Sequence, residues 1–157
     1  MIYYIFFIAL LITAIWCAWN ISVADLRRRI IPDVYLWPLM LIGLIFATWS
    51  PVWHIGPRLA VVGAAFGYAM AAIIGFIYDT RMRKKNPDAI APIGMGDIKL
   101  IATGGIWLGL TGLSVALIIA CISGGIWARY KKQKYIPFAP FFIIGGILAL
   151  IGLWFLL

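Results

Sequence analysis

The chain has 157 residues, of which 65% are hydrophobic and only 11% are charged, with a mean hydropathy of +1.05. Soluble domains average about 25% charged residues, so the composition excludes an ordinary soluble domain and indicates a single polytopic membrane domain over residues 1–157. The net charge of +8 does not indicate nucleic acid as a partner. Its basic residues lie in short loops between apolar runs, as expected of a protein whose partner is the lipid bilayer.

Five apolar runs follow one another along the chain, at 2–22, 34–49, 58–78, 98–127 and 140–157. The third contains Gly63 and Gly67 at a spacing that favours close helix contact. The fourth would form a helix about 45 Å long, whereas the hydrocarbon core is only ~30 Å thick. Glycine-rich stretches at 103–105 and 109–112 offer a break, which would leave two short spans. We therefore predict an all-α membrane protein with six transmembrane helices.

The basic residues support this count. Three loops, at 27–29, 81–85 and 129–134, hold 11 of the 13 lysines and arginines, and the other two are Arg58 and Lys99. With six spans the three loops share one side of the membrane, but with five the last loop falls on the other side, against the positive-inside rule. We predict that these loops are cytoplasmic and that both termini are not.

Acidic residues are few, and they narrow the possible chemistry. The chain has five aspartates and no glutamate, and its only histidine is His54. These residues do not form a multi-histidine zinc site, so no metal or other cofactor is predicted. The remaining candidates are Asp25 and Asp97, which six spans place at the cytoplasmic face. A carboxylate at the edge of the hydrocarbon costs several kcal/mol unless it is paired or hydrated, which makes both aspartates candidate functional residues.

Two carboxylates held close together resist double ionisation, so one retains a proton while the other acts as a base. This arrangement can activate water against a carbonyl group. Two other interpretations remain open at this point. The aspartates could cap helices and balance neighbouring arginines, or they could bind protons or cations in a non-enzymatic protein such as a transporter subunit.

Three motifs resemble those of type IV prepilin peptidases, and they occur in that family's order. Residues 94–100, Gly-Met-Gly-Asp-Ile-Lys-Leu, resemble its Gly-x-Gly-Asp-x-Lys-Leu signature. Residues 25–27, Asp-Leu-Arg, followed by Ile-Pro at 31–32, resemble its upstream aspartate motif. Residues 136–141, Ile-Pro-Phe-Ala-Pro-Phe, with Gly145, resemble its downstream proline segment.

The resemblance implies an aspartic endopeptidase of the bacterial inner membrane with its active site facing the cytoplasm. Its substrates would be prepilins or pseudopilins, which carry a leader before a hydrophobic N-terminal helix. Asp25 and Asp97 would be catalytic. Gly94 and Gly96 would let the backbone approach the substrate, and Lys99 would stabilise a carboxylate or contact the substrate. The resemblance is to the short form found in tight-adherence pilus systems, so it implies the peptidase activity and does not extend to N-methylation.

Two further aspartates need an interpretation. Tyr78-Asp79 precedes Gly-x-Gly-Asp, as a Tyr-Asp pair does in presenilin-type proteases, but the Pro-Ala-Leu motif of those proteases is missing. We therefore favour Asp25 as the partner of Asp97 and predict that Asp79 forms an ion pair with a neighbouring arginine. Asp33 stands where the prepilin peptidases commonly have asparagine, and we predict that it caps the second helix.

Overall fold

A computed structural model describes residues 2–50, 53–85, 93–132 and 136–156. In these segments α-helix is the only regular secondary structure. The helices are α1 Ile2–Arg28, α2 Asp33–Trp49, α3 Pro57–Lys85, α4 Met95–Lys131 and α5 Phe138–Leu156. Helices α1, α3 and α4 are long and apolar enough to cross a membrane, whereas α2 and α5 are apolar but shorter. The prediction of an all-α membrane protein is confirmed.

Helix α4 is broken at Gly109, whose φ of 61° and ψ of −170° lie in a region that is essentially restricted to glycine. This residue belongs to the second of the two glycine-rich stretches in which a break was expected. The first stretch remains helical because its glycines serve helix packing. A Cβ at Gly104 would lie 2.5 Å from Phe142 Cζ, and one at Gly105 would collide with the backbone at Gly63.

The chain reverses its direction at this break. In the first half of α4, Gly104 packs against Phe142 and Leu108 against Gly146, so this half runs parallel to α5. In the second half, later residues of α4 contact earlier residues of α5, so this half runs antiparallel to α5. Gly112 lies against Leu153, and the Ala116 carbonyl lies against Gly145. The two halves of α4 therefore form a helical hairpin.

Glycines also set the distance between α3 and α4. A Cβ at Gly63 would collide with the Gly105 carbonyl oxygen, and one at Gly67 would lie 3.1 Å from the Ile101 carbonyl oxygen. Two helix backbones can approach this closely only where side chains are missing. The close contact expected from the spacing of Gly63 and Gly67 is confirmed.

Helix α2 packs on the hairpin through Trp107. The indole N–H of Trp107 donates a hydrogen bond of 2.9 Å to the Leu39 carbonyl. Gly43 makes room for this ring, because a Cβ there would lie 2.6 Å from Trp107 Nε1. Trp107 also contacts Phe46 and Trp53, and together these three residues form an aromatic cluster.

Three helices extend further than the apolar runs from which they were predicted. Helix α1 continues to Arg28, so Asp25 lies in its last turns and not in a loop, and α3 continues to Lys85, well past the predicted end at 78. Helix α4 continues to Lys131. Charged residues with long side chains are good helix formers, so the end of an apolar run did not mark the end of a helix.

Candidate active site

Four helix ends meet at one end of the protein. They are the C-terminal end of α1 and the N-terminal ends of α2, α4 and α5. Three contacts between distant segments join them: Asp25 with Ala139, Asp33 with Lys99, and Ile31 with Gly96. All three sequence motifs contribute to this junction.

Asp25 lies on the last turns of α1 and is only 5% exposed. Arg29, directly after the last residue of α1, has a left-handed φ of 53° and donates its N–H to the Asp25 carbonyl at 2.9 Å. A single bond from a left-handed residue to a carbonyl four positions back is a common helix C-terminus. The Arg29 guanidinium also attracts the Asp25 carboxylate electrostatically.

The Asp25 carboxylate caps α5. It accepts a hydrogen bond of 2.7 Å from the Ala139 N–H, and the Phe138 N–H also interacts with it. These two residues begin α5, where backbone donors have no partner inside the helix and the helix dipole favours a negative charge. Pro137 and Pro140 have no N–H to offer. Hydrogen bonds from the first turn of another helix therefore offset part of the cost of burying Asp25.

Asp97 lies in the first turn of α4 and is half-buried. Its Oδ2 accepts the Gly94 N–H at 3.2 Å. Asp97 follows Gly96, which packs against Ile31 in the segment after Asp25, so the two aspartates lie at the same junction of helix ends. The structure thus brings together the two aspartates that were singled out in the sequence.

The two glycines of the Gly-x-Gly-Asp motif make room for other parts of this same chain. A Cβ at Gly94 would lie 3.2 Å from Asp97 Oδ2, and one at Gly96 would lie 3.0 Å from the Ile31 Cβ. The absence of a side chain at Gly96 lets the connection between α1 and α2 pack onto the start of α4. This packing brings the helix that carries Asp97 against the segment that follows Asp25.

Lys99 forms an ion pair with Asp33, with Nζ 2.8 and 3.0 Å from the two carboxylate oxygens. Both side chains are partly exposed. The prediction that Asp33 caps α2 is wrong. Pro32 occupies the capping position without a side-chain hydrogen bond, and Asp33 is the first residue of the helix. The ion pair instead joins the N-terminal ends of α2 and α4.

Asp79 pairs with Arg83 one turn later on α3, at 2.9 Å, as predicted. Asp88, the fifth aspartate of the sequence, lies outside the described segments. Within those segments, no three histidine, cysteine or aspartate side chains are grouped closely enough to hold a metal ion.

The backbone donors of Phe138 and Ala139 were not identified from the sequence. The proline segment at 136–141 was noted there, but no role was given to it. A backbone N–H has no signature of its own in a sequence. The available signal was the position of this segment at the start of an apolar run, since the first N–H groups of a helix are free to bind a carboxylate.

Fold and site together define an α-helical membrane protein with two neighbouring carboxylates at one end of its helices. The model of the type IV leader peptidase family matches residues 5–129, and the chain belongs to this family.

Relatives include a prepilin leader peptidase/N-methyltransferase of Aeromonas salmonicida, which is 30% identical over 91% of this chain and 48% of its own length. A protein of the same description from Burkholderia pseudomallei is 32% identical over 80% of this chain and 40% of its own length. A type 4 prepilin-like proteins leader peptide-processing enzyme of Escherichia coli is 33% identical over 83% of this chain and 47% of its own length. The chain thus spans about half the length of these relatives. No solved structure matches it.

Proposed function

We propose that this protein is a membrane aspartic endopeptidase that removes the leader from prepilin or pseudopilin substrates. The observation that carries the proposal is the position of Asp25 and Asp97 at one junction of helix ends. Membership in the type IV leader peptidase family and the names of the relatives support this substrate class. The names of the Aeromonas salmonicida and Burkholderia pseudomallei relatives also mention an N-methyltransferase, and we propose only the peptidase reaction for this chain.

The two carboxyl groups would share one proton, because like charges at close range resist double ionisation. The ionised group removes a proton from a water molecule, which attacks the scissile carbonyl, while the protonated group donates a hydrogen bond to the carbonyl oxygen. The pair titrates as a unit, so we assign neither the role of base nor the role of acid to one particular aspartate. The N–H of Ala139 holds the Asp25 carboxylate in place during these steps.

We further propose six membrane crossings, in which the two halves of α4 each count as one span. The reversal at Gly109 supports this number, and with it the three basic loops lie on one side of the membrane. The aspartates then face the cytoplasm of a bacterium, at the inner membrane, and both termini lie on the opposite side. The leader of a membrane-anchored substrate reaches the site from the cytoplasm, while its hydrophobic helix stays in the bilayer.

Co-expression with a prepilin-like substrate tests the reaction. We expect the wild-type protein to shorten the substrate, and Asp25→Asn and Asp97→Asn to leave it at full length. Asp79→Asn is the matched control, since Asp79 is already paired with Arg83, and it should support cleavage. Full-length substrate in the presence of wild-type protein, with several different leaders, would refute the peptidase proposal. Cleavage that survives Asp25→Asn but not Asp79→Asn would refute the choice of partner.

A further inference from the structure

Helices α1 and α3 extend past the junction of helix ends that holds the two aspartates. Helix α1 continues beyond Asp25 to Arg28. Helix α3 passes the start of α4 at Gly75, where a Cβ would lie 3.6 Å from the Ile93 Cβ, just before the Gly-x-Gly-Asp motif. It then continues to Lys85, about 15 Å further. Both helices therefore project beyond the candidate active site, at the same end of the protein.

The second half of α4 projects past the junction in the same way. A Cβ at Gly124 would lie 3.4 Å from the Ile136 side chain and 3.7 Å from the Phe141 ring, so α4 passes the start of α5 there. It then continues to Lys131, about 10 Å further. The projecting turns of the three helices carry six exposed basic side chains, which we call the basic rim: Arg27, Arg28, Arg81, Lys84, Arg129 and Lys131.

The charge of the basic rim is not matched by carboxylates of the described segments. Asp33 pairs with Lys99, and Asp79 pairs with Arg83, which is not a rim residue. Asp25 is buried and accepts backbone hydrogen bonds from α5. No aspartate of these segments forms an ion pair with a residue of the basic rim. A peptide that approaches the aspartates therefore enters a region of positive potential, which attracts negative charge and repels positive charge.

We propose that the basic rim binds acidic residues that the leader carries next to the scissile bond. This inference rests on the proposed peptidase function and adds a preference for acidic over basic leaders. Arg28 follows Asp25 by three residues, so the two lie on the same face of α1, about 4.5 Å apart along its axis. An extended peptide spans about 3.3–3.6 Å per residue. The Arg28 guanidinium therefore reaches leader positions within about three residues of the scissile bond.

Anionic lipid headgroups carry the same charge as an acidic leader, but they lie around the outside of the helices. The position of Arg28 on the face of α1 that carries Asp25 favours the leader as its partner. An arginine binds a carboxylate through charge-assisted, often bidentate hydrogen bonds. A lysine or arginine at the same leader position would meet like charge, so the basic rim selects between leaders by attraction and by repulsion.

Cleavage of three matched substrates tests the preference. They share one hydrophobic helix and differ only at the second and third positions before the scissile bond, which are both aspartate, both glutamine or both lysine. The enzyme is reconstituted in phosphatidylcholine vesicles, where no anionic headgroup competes. We expect kcat/KM to be about tenfold higher for the aspartate leader than for the lysine leader, with glutamine between them. The difference should shrink from about 0.01 M to about 1 M salt, because the Debye length falls from ~30 to ~3 Å.

Charge reversal in the enzyme tests which residues cause the preference. Arg28→Glu should reverse the order of the aspartate and lysine leaders and should cleave the glutamine leader near the wild-type rate, which shows that the variant is folded. Arg81→Glu, on another helix, should shift the preference in the same direction. Arg58→Glu is the matched control, since Arg58 is also exposed but lies about 35 Å along α3 from Arg81. It should keep the wild-type preference.

The outcomes separate this inference from the proposed function. If the wild type cleaves none of the three leaders, the peptidase function fails and the inference fails with it. Cleavage of all three leaders at equal rates would refute only the leader preference and would leave anionic lipid headgroups as the partner of the basic rim. A preference that does not depend on salt, or that Arg28→Glu and Arg81→Glu both leave unchanged, would also refute recognition by the basic rim.

Discussion

Asp25 depends on a backbone N–H that lies 114 residues away in the chain. A buried carboxylate without donors is strongly disfavoured, and the first turn of α5 supplies the donors that Asp25 requires. The same bond fixes the orientation of the carboxylate relative to Asp97. Ala139 therefore belongs to the candidate site through its backbone, although its side chain is a methyl group.

Ala139→Pro should slow cleavage of a prepilin-like substrate about ten- to a hundredfold. Proline removes the N–H yet is tolerated in the first turn of a helix, and a hydrogen bond to a charged group is worth about 1.5–3 kcal/mol. The measurement is kcat/KM on a substrate reconstituted with the enzyme. Ala139→Gly keeps the N–H and should retain most of the activity. Equal rates for the two variants would contradict the role given to this bond.

Asp33→Asn should change stability and the cleavage rate only slightly. Both side chains of its ion pair with Lys99 are partly exposed, and such pairs contribute about 0–1 kcal/mol to the free energy of unfolding. Thermal unfolding in detergent and the cleavage assay would both measure the effect. A loss of activity as complete as that of Asp97→Asn would show that Asp33 belongs to the catalytic group.

At the level of helices, the contact between α3 and α4 depends on glycine at particular positions. Gly63→Ala should lower stability by about 1–3 kcal/mol, because the added methyl group would overlap the Gly105 carbonyl. Gly75→Ala on the same helix is the control, since its Cβ would meet only the Ile93 side chain at 3.6 Å. It should be neutral or should stabilise by up to about 1 kcal/mol. Unfolding in detergent compares the two variants, and similar losses would contradict the close packing at Gly63.

The reversal of α4 depends on the backbone of Gly109. Gly109→Ala should cost about 1–3 kcal/mol, because φ and ψ there are accessible essentially only to glycine. Steric overlap is minor, since a Cβ would lie 3.4 Å from the nearest atom, in Ile55. Gly146→Ala, whose Cβ would lie 3.6 Å from Leu108 Cδ1, is the control without backbone strain. If both variants unfold at the same temperature as the wild type, the hairpin does not require this conformation.

The sequence predicted that the fourth apolar run is broken, but not where. Its length exceeded the thickness of a bilayer, and two glycine-rich stretches were available. Glycine serves both tight turns and close helix contacts, so composition does not distinguish these uses. Only the packing of Gly105 against Gly63 shows that the first stretch is a contact and the second a turn.

At the scale of the whole molecule, six crossings place the C-terminal end of α5 on one side of the membrane. The basic segment before α5 then lies on the other side. An alkaline phosphatase reporter fused after Leu157 should be active, because this enzyme requires the periplasm. The same reporter after Lys132 should be inactive. Inactivity of the first fusion together with activity of the second would favour five crossings and would reverse the orientation of the C-terminal part.

Much of this architecture could be predicted, because bilayer thickness and charge placement restrict an apolar chain strongly. Asp25 and Asp97 could be singled out because carboxylates are few and because both lie in motifs that resemble those of the family; their catalytic role stays a prediction. The junction of four helix ends could not, since it depends on contacts such as Gly96 with Ile31 and Lys99 with Asp33. Such contacts follow from how the helices pack, and the sequence of each helix alone does not specify them.

The bond between α1 and α5 also sets an order for biosynthesis. Asp25 leaves the ribosome with α1, whereas the Ala139 N–H that donates to it emerges only with α5. During translation the carboxylate stays without this partner until α5 has entered the membrane and joined the other helices. A nascent chain therefore lacks this contact, and the candidate site is complete only once α5 has joined the other helices.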